Sequence, residues 1–322
     1  MMKTKLFKSL LEDVISELEE GTILNYGKKY SMLTISSYKQ VYNCMVTLKF
    51  DFDVNKSDLN NVKTRRERLR TTRFLQDKIN TYLNLMHENC YHPNTRKNHL
   101  KIIKSTLNKA EKHYGYLFGR LESMRELQTK VIALDPEQVE MIHNTFPGKE
   151  LEDTWYYTRL VLYSCMRVSD LINFQTREDE DYVTIITKKG LGSISNFFLP
   201  KDVKEFVSRK GSFGFTREVF RKRLKDLLRV YPEFHQKKIV YHYDHDGNPV
   251  NSERFLWDLI TPHKLRSSGI TYHLAKGLTE MEVRNISGHS NGSTAFYRYV
   301  KASNLESLEK QKRNYELSLE KK

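Results

Sequence analysis

The residues of this chain that could do chemistry sit in four short stretches of its second half. Arg167 lies in Cys165-Met166-Arg167-Val168-Ser169-Asp170-Leu171, inside an apolar run. A guanidinium in such a setting is expected to be buried or in a cleft and needs an anion, either a core carboxylate or a ligand. Lys188 and Lys189 stand at the tip of an expected hairpin, between the β-branched strands Asp181–Thr187 and Ser193–Leu199. Taken alone, a lysine there serves solubility as readily as chemistry. Thr261-Pro262-His263-Lys264-Leu265-Arg266 opens a helix, and His263 and Arg266, three apart, share one face. Two nitrogen-rich side chains beside a helix N-terminus form an anion site. Last comes Ile286-Ser287-Gly288-His289-Ser290, followed by Tyr297 and Tyr299. The chain carries 11 His and 19 Tyr, so no single one of these is informative. Together the side-chain types suit anion binding and proton transfer.

The elements that would position them follow from pattern and charge. At 322 residues, with 54 Lys+Arg against 40 Asp+Glu, the chain carries a net charge of +14 and suggests two domains. With 14 Gly and 7 Pro, collagen-like and Pro/Gly-rich disordered classes are excluded. Three cysteines (Cys44, Cys90, Cys165) are too few for a disulfide scaffold and have no paired metal spacing. A reducing, cytoplasmic setting is expected, with no secretory signal and no membrane span. Residues 61–120 hold 14 Lys+Arg and 4 Asp+Glu, most of the basic excess. Lys63, Arg65, Arg66, Arg68, Arg70, Arg73, Arg96, Lys97, Lys101 and Lys104 are the expected contacts to a nucleic-acid backbone. Around them Ile79, Leu83 and Met86, then Leu100, Ile103 and Leu107, keep helical spacing. Helices are expected over Thr34–Phe50, Thr72–Cys90 and Asn94–His113, with Thr34 and Asn94 as caps. Residues 1–120 thus read as a basic helical domain, 121–133 as a linker, and 134–322 as a second domain. The second domain starts on a helix capped by Asp135 with Pro136 in its first turn. Helical periodicity runs through Thr154–Phe174 and returns in the tail, Ala302–Lys322.

Two Arg, a hairpin Lys, two His and a following Tyr, in this order, resemble the tyrosine recombinase (phage-type integrase) family. The match is specific at Met166–Leu171, at His263-Lys264-Leu265-Arg266, and at Gly288-His289-Ser290 with a downstream Tyr. It covers the second domain; the N-terminal region resembles, more loosely, the family's helical core-binding domain. The resemblance implies a mainly α fold with a small β-hairpin or sheet, an α+β catalytic domain behind a helical, SAM-like N-terminal domain. It also implies a site-specific recombinase that cuts and rejoins duplex DNA through a covalent 3′-phosphotyrosine, with no metal and no nucleotide cofactor.

The family's residues carry over as follows. Arg167 and Arg266 clamp the phosphate, with planar donors that cannot lose their protons. Lys188, or alternatively Lys189, protonates the leaving 5′-oxygen; His263 assists proton transfer and His289 hydrogen-bonds the phosphate. The family most often places its nucleophile nine residues after the last His, which here is Arg298. Tyr299 is preferred, reading Phe296-Tyr297-Arg298-Tyr299-Val300-Lys301 as a shifted match, and Tyr297 is the alternative. Two apart on a helix, they point roughly 200° from each other, so one of them faces the phosphate. Partners implied are duplex DNA, self-association into a tetramer on paired sites and, as the family allows, an accessory DNA-bending protein. The setting implied is the nucleoid or an infected host cell. Integration or excision of a phage or mobile element is the expected role. Against it stand a chromosome-dimer-type resolvase, a type IB topoisomerase or telomere resolvase, and a non-catalytic DNA-binding relic. The tail either packs at home or docks on a neighbouring protomer.

Overall fold

The computed structural model describes residues 5–24, 27–54, 64–114, 118–127, 132–171, 182–186, 194–210, 213–290, 292–293 and 296–300. Two compact units emerge from chain contacts: Met1–Thr129 with Tyr241–Val250, and Lys130–Val240 with Asn251–Lys322.

Among the described residues, the first unit is built on four helices. In α1 (Phe7–Glu20) the buried residues Phe7, Leu10, Leu11, Val14 and Leu18 form one apolar stripe. The helix stops at Gly21, whose φ of +80° a side chain would strain. The next helix, α2 (Met32–Thr47), begins ahead of the expected Thr34, because Ser31 is the cap and its Oγ accepts from the Thr34 amide at 3.2 Å. Likewise α3 (Arg65–Glu88) starts before Thr72, since Thr64 and Glu67 close a reciprocal capping box. After it, α4 covers Pro93–Tyr114. Strands β1 (Lys5–Leu6) and β2 (Asp53–Val54) pair antiparallel. The core joins Phe7, Leu10, Ile35, Val41, Leu75, Ile79, Tyr82, Met86, Ile103 and Leu107, all fully or almost fully buried.

Part of the stretch read as a linker is strapped to this unit. Over 118–127 the backbone forms no helix or strand and is held by side chains of α3 and α4. Thr72 Oγ1 accepts from the Gly119 amide (2.6 Å), Gln76 Oε1 from the Glu122 amide (2.8 Å), and Asn94 exchanges two hydrogen bonds with Leu127.

The second unit surrounds α6 (Glu152–Ser164), buried on most of its faces. Before it lies α5 (Pro136–Asn144), at whose start the Asp135 amide donates to Gln138 Oε1. The helix expected to run unbroken over Thr154–Phe174 does not: it breaks after Ser164, where Cys165 turns left-handed (φ +51°), and resumes as α7 (Val168–Leu171). Strands β3 (Tyr182–Ile186) and β4 (Ile194–Phe198) form the expected antiparallel hairpin, pairing Tyr182 with Phe198 and Ile186 with Ile194. Helices α8 (Lys201–Lys210) and α9 (Arg217–Val230) follow. A second hairpin, β5 (Lys237–Tyr243) and β6 (Pro249–Phe255), was not expected from the sequence; its tip, Tyr241–Val250, groups with the first unit. Short α10 (Leu256–Leu259), then α11 (Pro262–Ala275) and α12 (Glu280–Ser287), lead to a helical turn over 296–300. No helix among the described residues is long and apolar enough to cross a membrane. The tail from 301 onward, like Lys63, Lys188 and Lys189, lies outside the described residues.

Candidate active site

Arg167 owes its position to the break between α6 and α7. Ser164 Oγ turns back to the Leu160 carbonyl (2.6 Å) and accepts from the Met166 amide (3.3 Å), which ends α6 and satisfies the freed backbone. The carbonyl of Arg167 then accepts from the Asp170 and Leu171 amides and starts α7. One turn on, the Asp170 carboxylate sits 3.6 Å from Arg167 Nη1. Asp170 is 2% exposed, and neither carboxylate oxygen has a hydrogen-bond partner among the described residues. The Asp170 carboxylate thus faces the guanidinium from a buried position.

Arg266 comes from α11, capped by Thr261, whose Oγ1 accepts from the Lys264 amide. This helix lies unusually close to α6: a Cβ on Gly269 would be 2.4 Å from the Leu162 carbonyl oxygen and 3.1 Å from Cys165 Sγ. The close approach buries Arg266, one turn earlier, to 1% exposure. Its Nη2 donates to the Ser287 carbonyl (2.8 Å) and lies 3.4 Å from both ring nitrogens of His289. No carboxylate among the described residues hydrogen-bonds it. Burial and the neighbouring Arg167 push its pKa down to about 10.

His289 follows the left-handed end of α12 at Gly288 (φ +64°), and its amide donates to the Arg284 carbonyl. Its Nδ1 is 2.7 Å from Ser287 Oγ. Burial first, then Arg266, Arg167, Arg284 and His263, push it down to about 3, so the ring is neutral at physiological pH. His263 is exposed on the first turn of α11, near enough for its charge to be felt at His289.

The two tyrosines part as helical spacing requires. Tyr299 is buried to 7% with Phe296, Cys165, Ile270 and Val283 in a small apolar cluster, and its ring meets that of His289 edge-on at 5.9 Å. Tyr297 is 54% exposed, with the Arg284 guanidinium 5.1 Å over its ring. Thus Arg167, Arg266, His289 and Tyr299 come together, His263 flanks them, and Tyr297 points away.

Sequence reasoning passed over three contributors. Asp170 was quoted only as part of a motif. Ser287 gave no signal beyond its type. Arg284 looks like the partner of Glu280 in a surface i,i+4 pair, yet it is buried, donates to the Ser290 carbonyl (3.2 Å) and stacks on Phe296 at 4.2 Å.

The expected backbone-binding residues divide in two. Arg65, Arg66, Arg70, Arg73 and Lys101 are exposed along α3 and α4. Lys63 lies outside the described residues, and the remaining four have structural work in the first unit. Arg68 Nε donates to the Phe118 carbonyl, Lys97 pairs with Glu126 at 2.7 Å, and Lys104 Nζ donates to the Leu121 carbonyl. Arg96 donates to the His245 carbonyl.

No protein-family model matches the chain. In sequence it is 27% identical over 170 residues to the tyrosine recombinase XerA of Thermococcus kodakarensis, covering 50% of this chain. The match spans 55%, about half, of that relative's length. In structure it is similar to the Tn1549 transposon integrase in complex with transposon right end DNA, with a TM-score of 0.56 and 13% identity over 95% of this chain and 99% of that one. It is similar too to a lambda integrase tetramer bound to a Holliday junction (TM-score 0.56, 12% identity, 92% of this chain and 78% of that one). The XerH site-specific recombinase bound to difH substrate gives a TM-score of 0.53 and 13% identity over 91% of this chain and 81% of that one.

Proposed function

We propose that this chain, whose fold is that of the tyrosine recombinases and integrases, is a site-specific recombinase acting on duplex DNA. The observation that carries the reading is Arg266: a buried guanidinium beside a second one, with no bound carboxylate among the described residues and a tyrosine ring at its histidine neighbour. Such a setting costs folding energy unless an anion is to occupy it.

In the reaction, Tyr299 Oη attacks the scissile phosphorus, forming a P–O bond to the tyrosine while the bond to the 5′-oxygen breaks. The 5′-oxygen leaves as a hydroxyl with a proton from Lys188, or from Lys189, at the hairpin tip. Arg167 and Arg266 stabilise the charge that gathers on the equatorial oxygens. Neutral His289 donates a hydrogen bond to one of them, its other nitrogen engaged by Ser287. From the rim, His263 takes up the proton that Tyr299 Oη gives up on attack. A second 5′-hydroxyl then attacks the phosphotyrosine, so the phosphodiester count is conserved and no energy source is needed. Integration or excision of a mobile element by a tetramer on paired sites is the proposed role, supported by likeness to a transposon integrase across 95% of the chain.

Covalent trapping on a nicked suicide substrate taken from the flanking DNA tests this. The wild type and Tyr297→Phe should give an SDS-resistant protein–DNA adduct and Tyr299→Phe none. The reverse pattern would move the nucleophile to Tyr297. No adduct with DNA that the protein binds would leave a site-holding protein without catalysis.

A further inference from the structure

Where the tip of the β5–β6 hairpin meets the end of α3, three metal-ligating side chains converge. His87 Nε2 is 2.7 Å from Asp246 Oδ1, and His245 Nε2 is 3.4 Å from the same oxygen. One donor atom from each of the three lies within 4.8 Å of the others, and all three residues belong to the first compact unit. We propose that His87, His245 and Asp246 form a binding site for a divalent transition-metal ion, zinc by donor type.

The donor set is the first argument. Two imidazoles and one carboxylate suit a borderline ion such as zinc, with water as fourth ligand. Metal–ligand bonds of about 2.0–2.2 Å place tetrahedral donors about 3.3 Å apart. The observed separations bracket that spacing, and side-chain torsions alone can close on an ion. Each residue is nearly half exposed, which leaves a path for entry.

Pre-organisation is the second. His245 and Asp246 ride on a turn whose backbone is fixed independently of them. The Asp244 amide donates to the Asn248 carbonyl (3.0 Å), the Asn248 amide to Asp244 Oδ1 (2.8 Å), and Gly247 takes φ +90°. The carbonyl of His245 is anchored by Arg96 Nη2 at 2.9 Å. A Cβ on Gly247 would lie 3.6 Å from Leu127 and 3.7 Å from Pro93, so the turn is seated on its unit. Meanwhile His87 occupies the last turn of α3, where the negative end of the helix dipole favours a cation. A bare histidine–carboxylate pair at this exposure contributes little; a bound ion would fasten the hairpin tip to α3.

The proposal is independent of the recombinase reading, and its test needs no DNA. Zinc chloride would be titrated calorimetrically into the metal-free full chain at neutral pH, alongside His87→Gln, His245→Asn and the double variant. The wild type should bind one ion that each single variant binds roughly tenfold more weakly or worse and that the double variant does not bind. Cobalt(II) in place of zinc should give the visible absorption of a histidine-ligated ion, lost in the double variant. Circular dichroism and Tm of the metal-free variants, expected to match the wild type, keep loss of fold apart from loss of ligands. Equal zinc binding by the double variant, or none by the wild type, would overturn the site and leave a hydrogen-bonded pair.

Discussion

Arg266 keeps its charge in spite of its burial. With a pKa pushed down to about 10, its protonated form still exceeds the neutral one about 1,000-fold at pH 7. A lysine at the same depth would lose charge far more readily and has no planar fork. Arg266→Lys should therefore keep DNA binding but lower the rate of adduct formation by roughly 10²–10³, read in single-turnover trapping. His143 offers a different test, of stability. It is buried against Tyr163 at 4.1 Å, and neither ring nitrogen has a hydrogen-bond partner among the described residues. Burial, then Arg159 and His273, push it down to about 3. As the pH falls below about 6.5 the unfolded chain takes up a proton there that the folded chain refuses. Stability is thus full above that point and falls by up to about 1.4 kcal/mol per pH unit until about pH 3. His143→Phe should flatten this limb: between about pH 7.5 and about pH 5.5, its Tm should drop less than that of the wild type.

At the scale of elements, the site depends on how closely α6 and α11 approach and on where α12 ends. Gly269→Ala forces a methyl against the Leu162 carbonyl, which is backbone and cannot swing away. A loss of about 1–3 kcal/mol in urea unfolding is expected, with a reduced adduct yield because Arg266 lies one turn away on the same helix. Thr279→Ala removes the oxygen that accepts from the Glu282 amide at the start of α12, and should cost about 1 kcal/mol. If Thr279→Ala lowered adduct yield as steeply as Gly269→Ala, the helix spacing would not be what places Arg266.

Across the whole molecule, charge has two uses that a count of residues merges. Arg65 and Arg70 are exposed on α3, whereas Arg68 and Lys104 hold the 118–127 strap. Under the recombinase reading, binding should weaken steeply with salt. Arg65→Ala and Arg70→Ala should each reduce the log–log slope by about 0.9, with Tm unchanged. Arg68→Ala and Lys104→Ala should lower Tm more than they change that slope. Fluorescence anisotropy across a salt series, run beside thermal melts, separates the two classes.

The order of the motifs, the helical spacing of the N-terminal half, the β3–β4 hairpin and the opposite facing of Tyr297 and Tyr299 were all legible in the sequence. These rest on local rules: side-chain period, turn residues and the 100° step of a helix. The tertiary structure alone decided the rest. The break at Cys165, placed in a run that reads as continuous helix, goes with the packing of Cys165 against Gly269, Ile270 and Val283, since a non-glycine residue takes a left-handed turn only where its surroundings require it. Burial of Arg284, assignment of Arg68 and Lys104 to a strap, and the meeting of His87 with His245 and Asp246 all join residues distant in the chain or faces that local pattern leaves polar. Local periodicity carries no term for such contacts; only close packing of one element on another selects them.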